Sequence, residues 1–375
     1  MKAIHLRTEY LENPIGLGAT APRLFWNCEG GKRQTAYRIT ARCGGKTVWD
    51  TGKVASSRMT HIPYEGERLQ SRRRVEWSVR LWDETGAEGE AVCAFFEMGL
   101  LEAGDWRAKW IAGDYKVNPK TRYPVDCFRK VFSAESVVSA RLYVTACGLY
   151  EGCLNGARVG TAMLTPGHTS YPKRVQYQTY DVTELLHSGE NVLTFQLADG
   201  WYRGSCGANG LRNQYGTETK LLAQLEWTDT EGGAHCVATD GTWEWSCDGP
   251  IRFADNKDGE VYDANLTPTY TGKAKETTHS CVPTASNNVP VEEHEHLTAT
   301  RITTPAGKTV LDFRQNIAGY LSFRVNAKAG QRIIRRAACP LCRKGTPCTC
   351  TFRAASGRTP TPIPGTSLSA SRWAR

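Results

Sequence analysis

Apolar and polar residues alternate with a period of two along much of this chain, and turns interrupt the alternation at short intervals. The segment QTAYRITARCGGKTVWDTG (Gln34–Gly52) alternates, breaks at Gly44-Gly45 and then resumes, which predicts a β-hairpin. Residues Arg72–Gly89 repeat the pattern, and one face of that strand carries Val75, Trp77, Val79 and Leu81. About seven short strands separated by such turns predict a β-sandwich of the immunoglobulin or fibronectin type III kind over residues 1–100.

A second run of strands follows a connector that contains glycine and tryptophan, at Leu100–Tyr115. Residues Ala140–Gly160 predict two strands around an Asn-Gly turn, and residues Arg174–Gly204 predict a strand, a short helical turn and another strand. A further hairpin turns at Glu231–Gly233. The pattern therefore predicts a second sandwich, of jelly-roll-like form, over residues 101–295.

The alternation begins again over Leu297–Arg336, where two to four strands are too few to close a third sandwich. We assign residues 296–336 to the truncated start of another β domain and residues 337–375 to a disordered tail. The predicted fold class is thus all-β, with two tandem sandwiches, part of a third, and this tail. The sequence predicts no amphipathic helix of ten or more residues.

The formal net charge of +9 points at first to a nucleic-acid partner. The tail weakens this interpretation, because residues 338–375 hold six Lys or Arg and no acidic residue, which leaves 41 basic against 38 acidic residues before it. The sequence therefore argues against nucleic-acid binding. No run of eighteen apolar residues predicts a membrane helix, and the charged residues Arg7, Glu9 and Glu12 do not suit a signal peptide, so we expect a cytoplasmic protein.

Ten of the fourteen cysteines are scattered singly, which is typical of reduced, mostly buried thiols rather than of a disulfide framework. The other four form a CxxC…CxC pattern at Cys339, Cys342, Cys348 and Cys350, and four thiolates are a ligand set that zinc favours. A zinc-dependent interaction protein is therefore one alternative. His294-Glu295-His296 has metal-ligand spacing, but its polar surroundings favour a solvated linker. We expect no cofactor.

Glycoside hydrolysis requires two carboxylates that face one cavity. The candidates are Asp199, Glu260 and Asp263. Residues three apart in a strand, such as Glu260 and Asp263, face opposite sides of it and make a poor pair. The sequence also lacks the nucleophile and phosphate-binding motifs of common enzymes, so we assign no catalytic residue.

The segments ADGWYRG and LRNQYG suggest a place where a sugar ring could stack on aromatic side chains. Trp201 and Tyr202 would form the platform, and Arg203 and Asn213 would bond the hydroxyl groups. The alternative is an aromatic cluster that braces a loop. The predicted substrate-binding residues are Asp199, Trp201, Tyr202, Arg203, Asn213 and Glu260.

Several segments carry a resemblance to one enzyme family. In the first domain they are NPIGLG, PRLFW, QTAYRI, LWDETG, FEMGLL and DWRAKWI. In the second they are LYVTACGLYEGCLNGARVG, LTPGHTSYPKRVQYQTYDVTELL, GENVL, DGWYRG and DGEVYDANL, and LDFRQNIAGYLSFRV follows. Together, over residues 10–336, these resemble the amino-terminal part of bacterial α-L-rhamnosidases, glycoside hydrolase family 78. Within that resemblance LDFRQNIAGYLSFRV is similar to the opening of a concanavalin-like domain, which implies that residues 296–336 are the truncated start of one. Arg314 departs from the pattern, because the family usually has glycine there.

The resemblance implies a protein that acts on terminal α-L-rhamnose of glycosides and polysaccharides, by inversion, through carboxylates on an (α/α)6 barrel. That barrel lies downstream of every segment matched. The chain is thus expected to be the non-catalytic front of a rhamnosidase, with a rhamnose-containing glycan or glycoside as its partner and homodimerisation left open. The alternative is a free-standing carbohydrate-binding module.

The tail departs from the resemblance altogether. Read one base earlier, the codons of Thr359–Gly365 permit Asp-Thr-Tyr-Thr-Tyr-Thr-Gly, which approaches the family pattern D-x-Y-x-x-x-G-x-E. The same offset turns Cys348–Phe352 into residues that alternate as a strand does. We therefore expect that residues from about 337 onward are translated out of frame.

Overall fold

A computed structural model describes residues 1–207, 209–315, 318–323, 332–336, 347–351 and 368–374. The side chains are described up to residue 320. The described chain is built almost wholly of β-strands, and its one α-helix has four residues. None of the helices in these ranges is long and apolar enough to cross a membrane.

The first domain is a sandwich of two antiparallel sheets, ordered β1-β2-β5 and β4-β3-β6-β7. Its seven strands are β1 (Lys2–Thr8), β2 (Arg23–Glu29), β3 (Ala36–Cys43), β4 (Lys46–Asp50), β5 (Ile62–Pro63), β6 (Arg74–Trp82) and β7 (Val92–Glu97). The three-plus-four arrangement confirms the predicted immunoglobulin-like fold.

Both predicted hairpins of this domain are present. Strands β3 and β4 turn at Gly44 and Gly45, whose φ angles of +54° and +80° suit the two-residue turns that glycine favours. On β6 the predicted inward face is buried completely, since its four apolar residues are at most 1% exposed: Val75, Trp77, Val79 and Leu81. Burying such a face is what stabilises a half-solvated antiparallel sheet.

The second domain is a larger sandwich. Its strands are β8 (Trp110–Ala112), β9 (Asp126–Ala134), β10 (Val137–Cys147), β11 (Leu149–Leu154), β12 (Ala157–Arg158), β13 (Gln176–Asp181), β14 (Gly189–Ala198), β15 (Lys220–Asp229), β16 (Ala234–Ala238), β17 (Glu244–Ser246), β18 (Ile251–Asp255), β19 (Gly259–Tyr262), β20 (Gly272–Lys273), β21 (Lys275–Thr277) and β22 (Thr284–Ala285). One sheet runs β21-β8-β15-β10-β13-β22 with β16 beside β15, and the facing sheet runs β12-β11-β14-β9-β17-β20. Strands β18 and β19 form a separate hairpin.

The two sheets of this domain enclose its largest apolar core, which includes Phe128, Leu142, Phe195 and Trp243. The predicted helical turn between β13 and β14 is a 3-10 turn at Thr183–Leu185. A second 3-10 turn, Ala103–Asp105, lies in the connector between the domains. The helix α1 (Gly200–Arg203) follows β14 directly and begins the candidate site.

Strands continue beyond the second sandwich: β23 (Glu292–Thr298), β24 (Thr300–Thr303), β25 (Thr309–Asp312), β26 (Gly319–Phe323), β27 (Arg332–Arg336), β28 (Pro347–Thr351) and β29 (Leu368–Ala374). Strands β28 and β29 fall in the tail that was expected to be disordered, and the rest of that tail lies outside the described residues. Arg314, where the family pattern has glycine, has a φ of +59°, in the left-handed region that glycine favours.

Candidate functional site

The predicted sugar-binding segment lies on the turn that leaves β14. Gly200 has a φ of +53°, and a Cβ there would lie 2.8 Å from Cγ of Leu149, so the turn requires glycine. Successive residues of a helical turn point about 100° apart. Trp201 therefore faces outward and is half-buried, whereas Tyr202 and Arg203 are buried.

A buried ion pair fixes this turn to the sandwich. Nε of Arg203 donates to Oδ1 of Asp199 at 2.7 Å, and Nη2 of Arg212 donates to Oδ2 at 3.0 Å. Asp199 and Arg203 are each 2% exposed. Neither side chain is open to solvent, so both act in the interior as anchors of the turn.

The ion pair continues into a polar network beneath α1. Nη1 of Arg203 donates to the hydroxyl of Tyr115, which lies 3.4 Å from Oδ2 of Asp126. Asp126 is fully buried and also accepts bonds from Thr219 at 2.7 Å and from the indole of Trp245 at 3.0 Å. Hydrogen bonds of this kind are what make a buried carboxylate tolerable.

Burial sets the protonation of the network. It raises the pKa of Asp126, although the charge of Arg203 and the two bonds to Asp126 oppose that effect. It also acts to lower the pKa of Arg203, but Asp199 and Asp126 more than offset it, so the pKa of the guanidinium is raised. Arg203 thus stays charged within the buried network.

Trp201 lines an open depression of about 500 Å³ with Leu164, Ser205, Gly207, Asn256 and Lys257. The indole stacks on the imidazole of His168, with ring centroids 5.5 Å apart and planes 15° apart. An aromatic and an aliphatic wall beside amide, hydroxyl and ammonium groups is a combination that suits a small polyhydroxylated molecule.

The opposite wall of the depression is the turn between β18 and β19. Oδ1 of Asp255 accepts the backbone N–H groups of Lys257 and Asp258 at 2.8 and 2.9 Å, and its Oδ2 accepts that of Ser205 at 2.7 Å. Asp258 in turn accepts the hydroxyl of Ser205 at 2.7 Å and Nη2 of Arg122 at 2.6 Å. Asp255 is not among the predicted residues, although an aspartate that bonds the backbone two residues on, as it does at Lys257, is a common turn signal.

The remaining predicted residues lie outside the depression. Nδ2 of Asn213 donates to the carbonyl of Pro119 at 2.9 Å, and the backbone of Asn213 bonds that of Arg203. Glu260 lies on β19, paired with Ala254, and is exposed. The structure thus brings Asp199, Tyr202, Arg203 and Asn213 together as loop supports and leaves Trp201 as the predicted residue that faces the depression.

A second groove, of about 630 Å³, lies against β10, β12 and β13 and is lined in part by Arg141, Arg158 and Asp181. Arg141 is held by Glu97 and Asp181, and Arg158 donates to the carbonyl groups of Gly160 and Ala162. Its arginines are already paired within the protein. Lys257 of the Trp201 depression is likewise bonded, to the carbonyl of Gly207, so the difference is the indole of Trp201, since no aromatic residue lines the groove in the described chain.

No group of three or more His, Cys, Asp or Glu side chains within the described ranges could hold a metal ion. Nε2 of His296 lies 2.6 Å from Oε1 of Glu293. The ten scattered cysteines are free thiols, three of them buried. For the predicted zinc ligands, Cys339 and Cys342 and the side chains of Cys348 and Cys350 lie outside the described residues.

Two family models match the chain. The model of the Rha78A-like N-terminal immunoglobulin domain matches residues 3–102, and that of the α-L-rhamnosidase N-terminal domain matches residues 135–304. The first coincides with the seven-stranded sandwich. The second takes in most of the larger sandwich, including Trp201, Asp199 and Arg203, and begins after Tyr115 and Asp126.

Curated proteins and a solved structure that are similar to this chain are also α-L-rhamnosidases. An α-L-rhamnosidase of Formosa agariphila is 32% identical over 94% of this chain and 42% of its own length, and one of Alteromonas sp. is 33% identical over 86% and 38%. The crystal structure of an α-L-rhamnosidase from Aspergillus terreus has a TM-score of 0.83 and 29% identity, over 99% of this chain and 49% of that one. The chain spans less than half the length of these two curated relatives, and it belongs to the α-L-rhamnosidase family as an N-terminal β-sandwich region.

Proposed function

We propose that this chain is the non-catalytic part of an α-L-rhamnosidase and does not hydrolyse rhamnosides as it stands. The observation that carries the proposal is the state of its carboxylates. Asp199 and Asp126 are buried and hydrogen-bonded to other side chains, and the carboxylate of Asp255 accepts backbone N–H groups of a turn. Inverting hydrolysis needs an acid and a base that face a shared cavity roughly 6.5–9.5 Å apart.

The relatives extend well beyond the matched region, and the helical barrel implied by the resemblance has no counterpart among the described strands. The role that fits the two sandwiches is to support that barrel and its rhamnose-containing substrate. The proposal includes cytoplasmic residence, and it allows a homodimer without requiring one. Both stay predictions, to be checked by cell fractionation and by light scattering of the purified chain.

The first experiment is an assay of the purified chain with an aryl α-L-rhamnoside. The expected result is no hydrolysis above that of a mock preparation. Hydrolysis that copurifies with the chain and is lost in Glu260→Gln would overturn the proposal, because that carboxylate is exposed and its replacement should leave the fold intact. An unrelated substitution such as Asp50→Asn serves as the control.

A second candidate function is sugar binding by the sandwich itself, and the Trp201 depression is the observation that favours it. Trp201 offers a ring face or edge, Leu164 an apolar wall, and Asn256 and Lys257 polar groups. Aromatic platforms of this type bind the apolar face of a sugar while amides bond its hydroxyls.

Calorimetric titration with L-rhamnose and with a rhamnoside tests this candidate. We expect millimolar binding that Trp201→Ala weakens at least tenfold and that Tyr10→Ala, an exposed aromatic residue of the first domain, leaves unchanged. Arg203→Ala should weaken binding only through local unfolding, since its side chain is buried. A flat titration at millimolar sugar removes the candidate without affecting the main proposal.

The tail requires its own proposal. We propose that residues from about 337 onward are read out of frame, because the sequence there contains no acidic residue and an alternative frame approaches the family pattern. Resequencing the encoding DNA from codon 325 past the present stop tests this. One inserted or deleted base that opens a long downstream frame would support it, and an unchanged frame would return attention to the zinc alternative.

A further inference from the structure

Two ion pairs join the sandwiches across their boundary, and each sandwich supplies the arginine of one pair. Arg141, on β10 of the second sandwich, donates two hydrogen bonds to Glu97, on β7 of the first. The Nε–Oε1 and Nη2–Oε2 distances are 2.7 and 2.9 Å. Glu97 is 5% exposed, so this bidentate pair lies in the interior. Bidentate arginine–carboxylate pairs fix orientation as well as distance.

A second pair runs in the opposite direction. Arg72, of the first sandwich, donates to both carboxylate oxygens of Glu226, on β15 of the second, at 2.6 and 2.8 Å. The same guanidinium bonds Asp105 of the connector at 2.7 Å. Two bridges on separate strands resist rotation about the boundary, which one bridge alone would permit.

An apolar seam fills the space between the bridges. Leu100, Tyr143 and Tyr177 are buried together, and the hydroxyl of Tyr177 accepts the N–H of Leu100 at 2.6 Å and donates to its carbonyl at 3.0 Å. The side chain of Tyr177 packs directly against the backbone at Gly99, since a Cβ on Gly99 would lie 2.2 Å from that hydroxyl. The start of the connector, at Gly99 and Leu100, is thus packed between the sandwiches, although its 3-10 turn at Ala103–Asp105 has no buried residue.

Domains joined in one chain usually move relative to each other unless their interface is tight and apolar. We propose that the two sandwiches form one rigid body that opens in a single cooperative transition, locked by the Arg141–Glu97 and Arg72–Glu226 pairs. The first sandwich then fixes an orientation for whatever the second sandwich supports, and it does not sample positions as a tethered arm.

Hydrogen exchange of the full chain across a urea series, read by mass spectrometry, tests the proposal. Peptides from β6 and from β15 report the first and second sandwich separately. In the wild type their opening midpoints should coincide. In Glu97→Gln, which keeps the side-chain shape but removes the charge, the midpoints should separate, because the coupling across the boundary is lost.

The matched control is Asp50→Asn, which breaks an ion pair between Arg38 and Asp50 inside the first sandwich. This substitution should lower the urea midpoints of the β6 and β15 peptides together, because in one cooperative unit a loss of stability in either sandwich lowers the stability of both. Separate midpoints in the wild type would overturn the proposal, and so would coincident midpoints in both Glu97→Gln and Arg72→Met. If Glu97→Gln does not fold, Arg141→Lys, which retains the charge without the bidentate geometry, gives the same test.

Discussion

Replacing Asp199 by asparagine removes one charge from the interior and changes the volume very little. The carboxylate bonds Arg203 at 2.7 Å and Arg212 at 3.0 Å, while Asp199 and Arg203 are each 2% exposed. An amide can accept with one oxygen only, and its NH2 group would face a guanidinium that also donates. Removing one partner of a buried pair costs about 3–5 kcal/mol, so we expect Asp199→Asn to lower the free energy of unfolding by that amount.

The same substitution at Asp50 provides the comparison. Asp50 forms a bidentate pair with Arg38, but the two side chains are 33% and 48% exposed, and exposed pairs contribute about 0.2–1 kcal/mol. Urea denaturation followed by tryptophan fluorescence measures both variants. If Asp199→Asn costs no more than Asp50→Asn, the buried pair does not anchor α1. Adding Arg203→Met to Asp199→Asn should recover part of the loss, because it removes the unpaired buried charge.

Three further predictions concern other parts of the molecule. Bonds from Arg38 and from the backbone N–H of Gly52 lower the pKa of Asp50 from 3.8 to about 2. The stability that this ion pair contributes is therefore present above pH 3.8 and is lost as the pH falls through 2. An NMR titration of Asp50 with an ordinary midpoint would contradict this. Burial raises the pKa of Cys147 to about 12, so alkylation at pH 8 should modify the exposed Cys93 and spare Cys147 until the protein unfolds, and equal rates would be the contrary result. Gly16→Ala should destabilise the protein by about 1–3 kcal/mol more than Gly86→Ala in the same denaturation assay. Both glycines have a φ near +80°, but only a Cβ on Gly16 would meet a neighbour, Oγ1 of Thr179 at 2.2 Å. Equal losses would show that Thr179 can move away without cost.

The first sandwich could be predicted from sequence because its pattern is local. Strand β6 alternates over nine residues, and the turn glycines between β3 and β4 mark the adjoining hairpin. Both signals depend on residues that are near neighbours in the chain. The same holds for the strands around the turn at Thr183–Leu185, and the structure confirms them.

The roles within ADGWYRG could not be predicted in that way. Whether Arg203 points to solvent or to the core depends on Tyr115 and Asp126, which are 88 and 77 residues away in the chain. Charged residues are seldom fully buried, so the default interpretation placed Arg203 on the surface. The one local signal was the spacing of four residues between Asp199 and Arg203, which suits an ion pair along a helical turn.

Strands satisfy their backbone groups by pairing, but loops must find other partners for theirs. Around the Trp201 depression Asp255 is such a partner, because it accepts the backbone N–H groups of Ser205, Lys257 and Asp258. On the other wall, Asp199 anchors α1 through the side chain of Arg203. The two walls are therefore fixed before any ligand arrives. A preformed site avoids the entropic cost of ordering loops on binding, so the affinity of the depression should depend on the few groups that line it and not on loop closure.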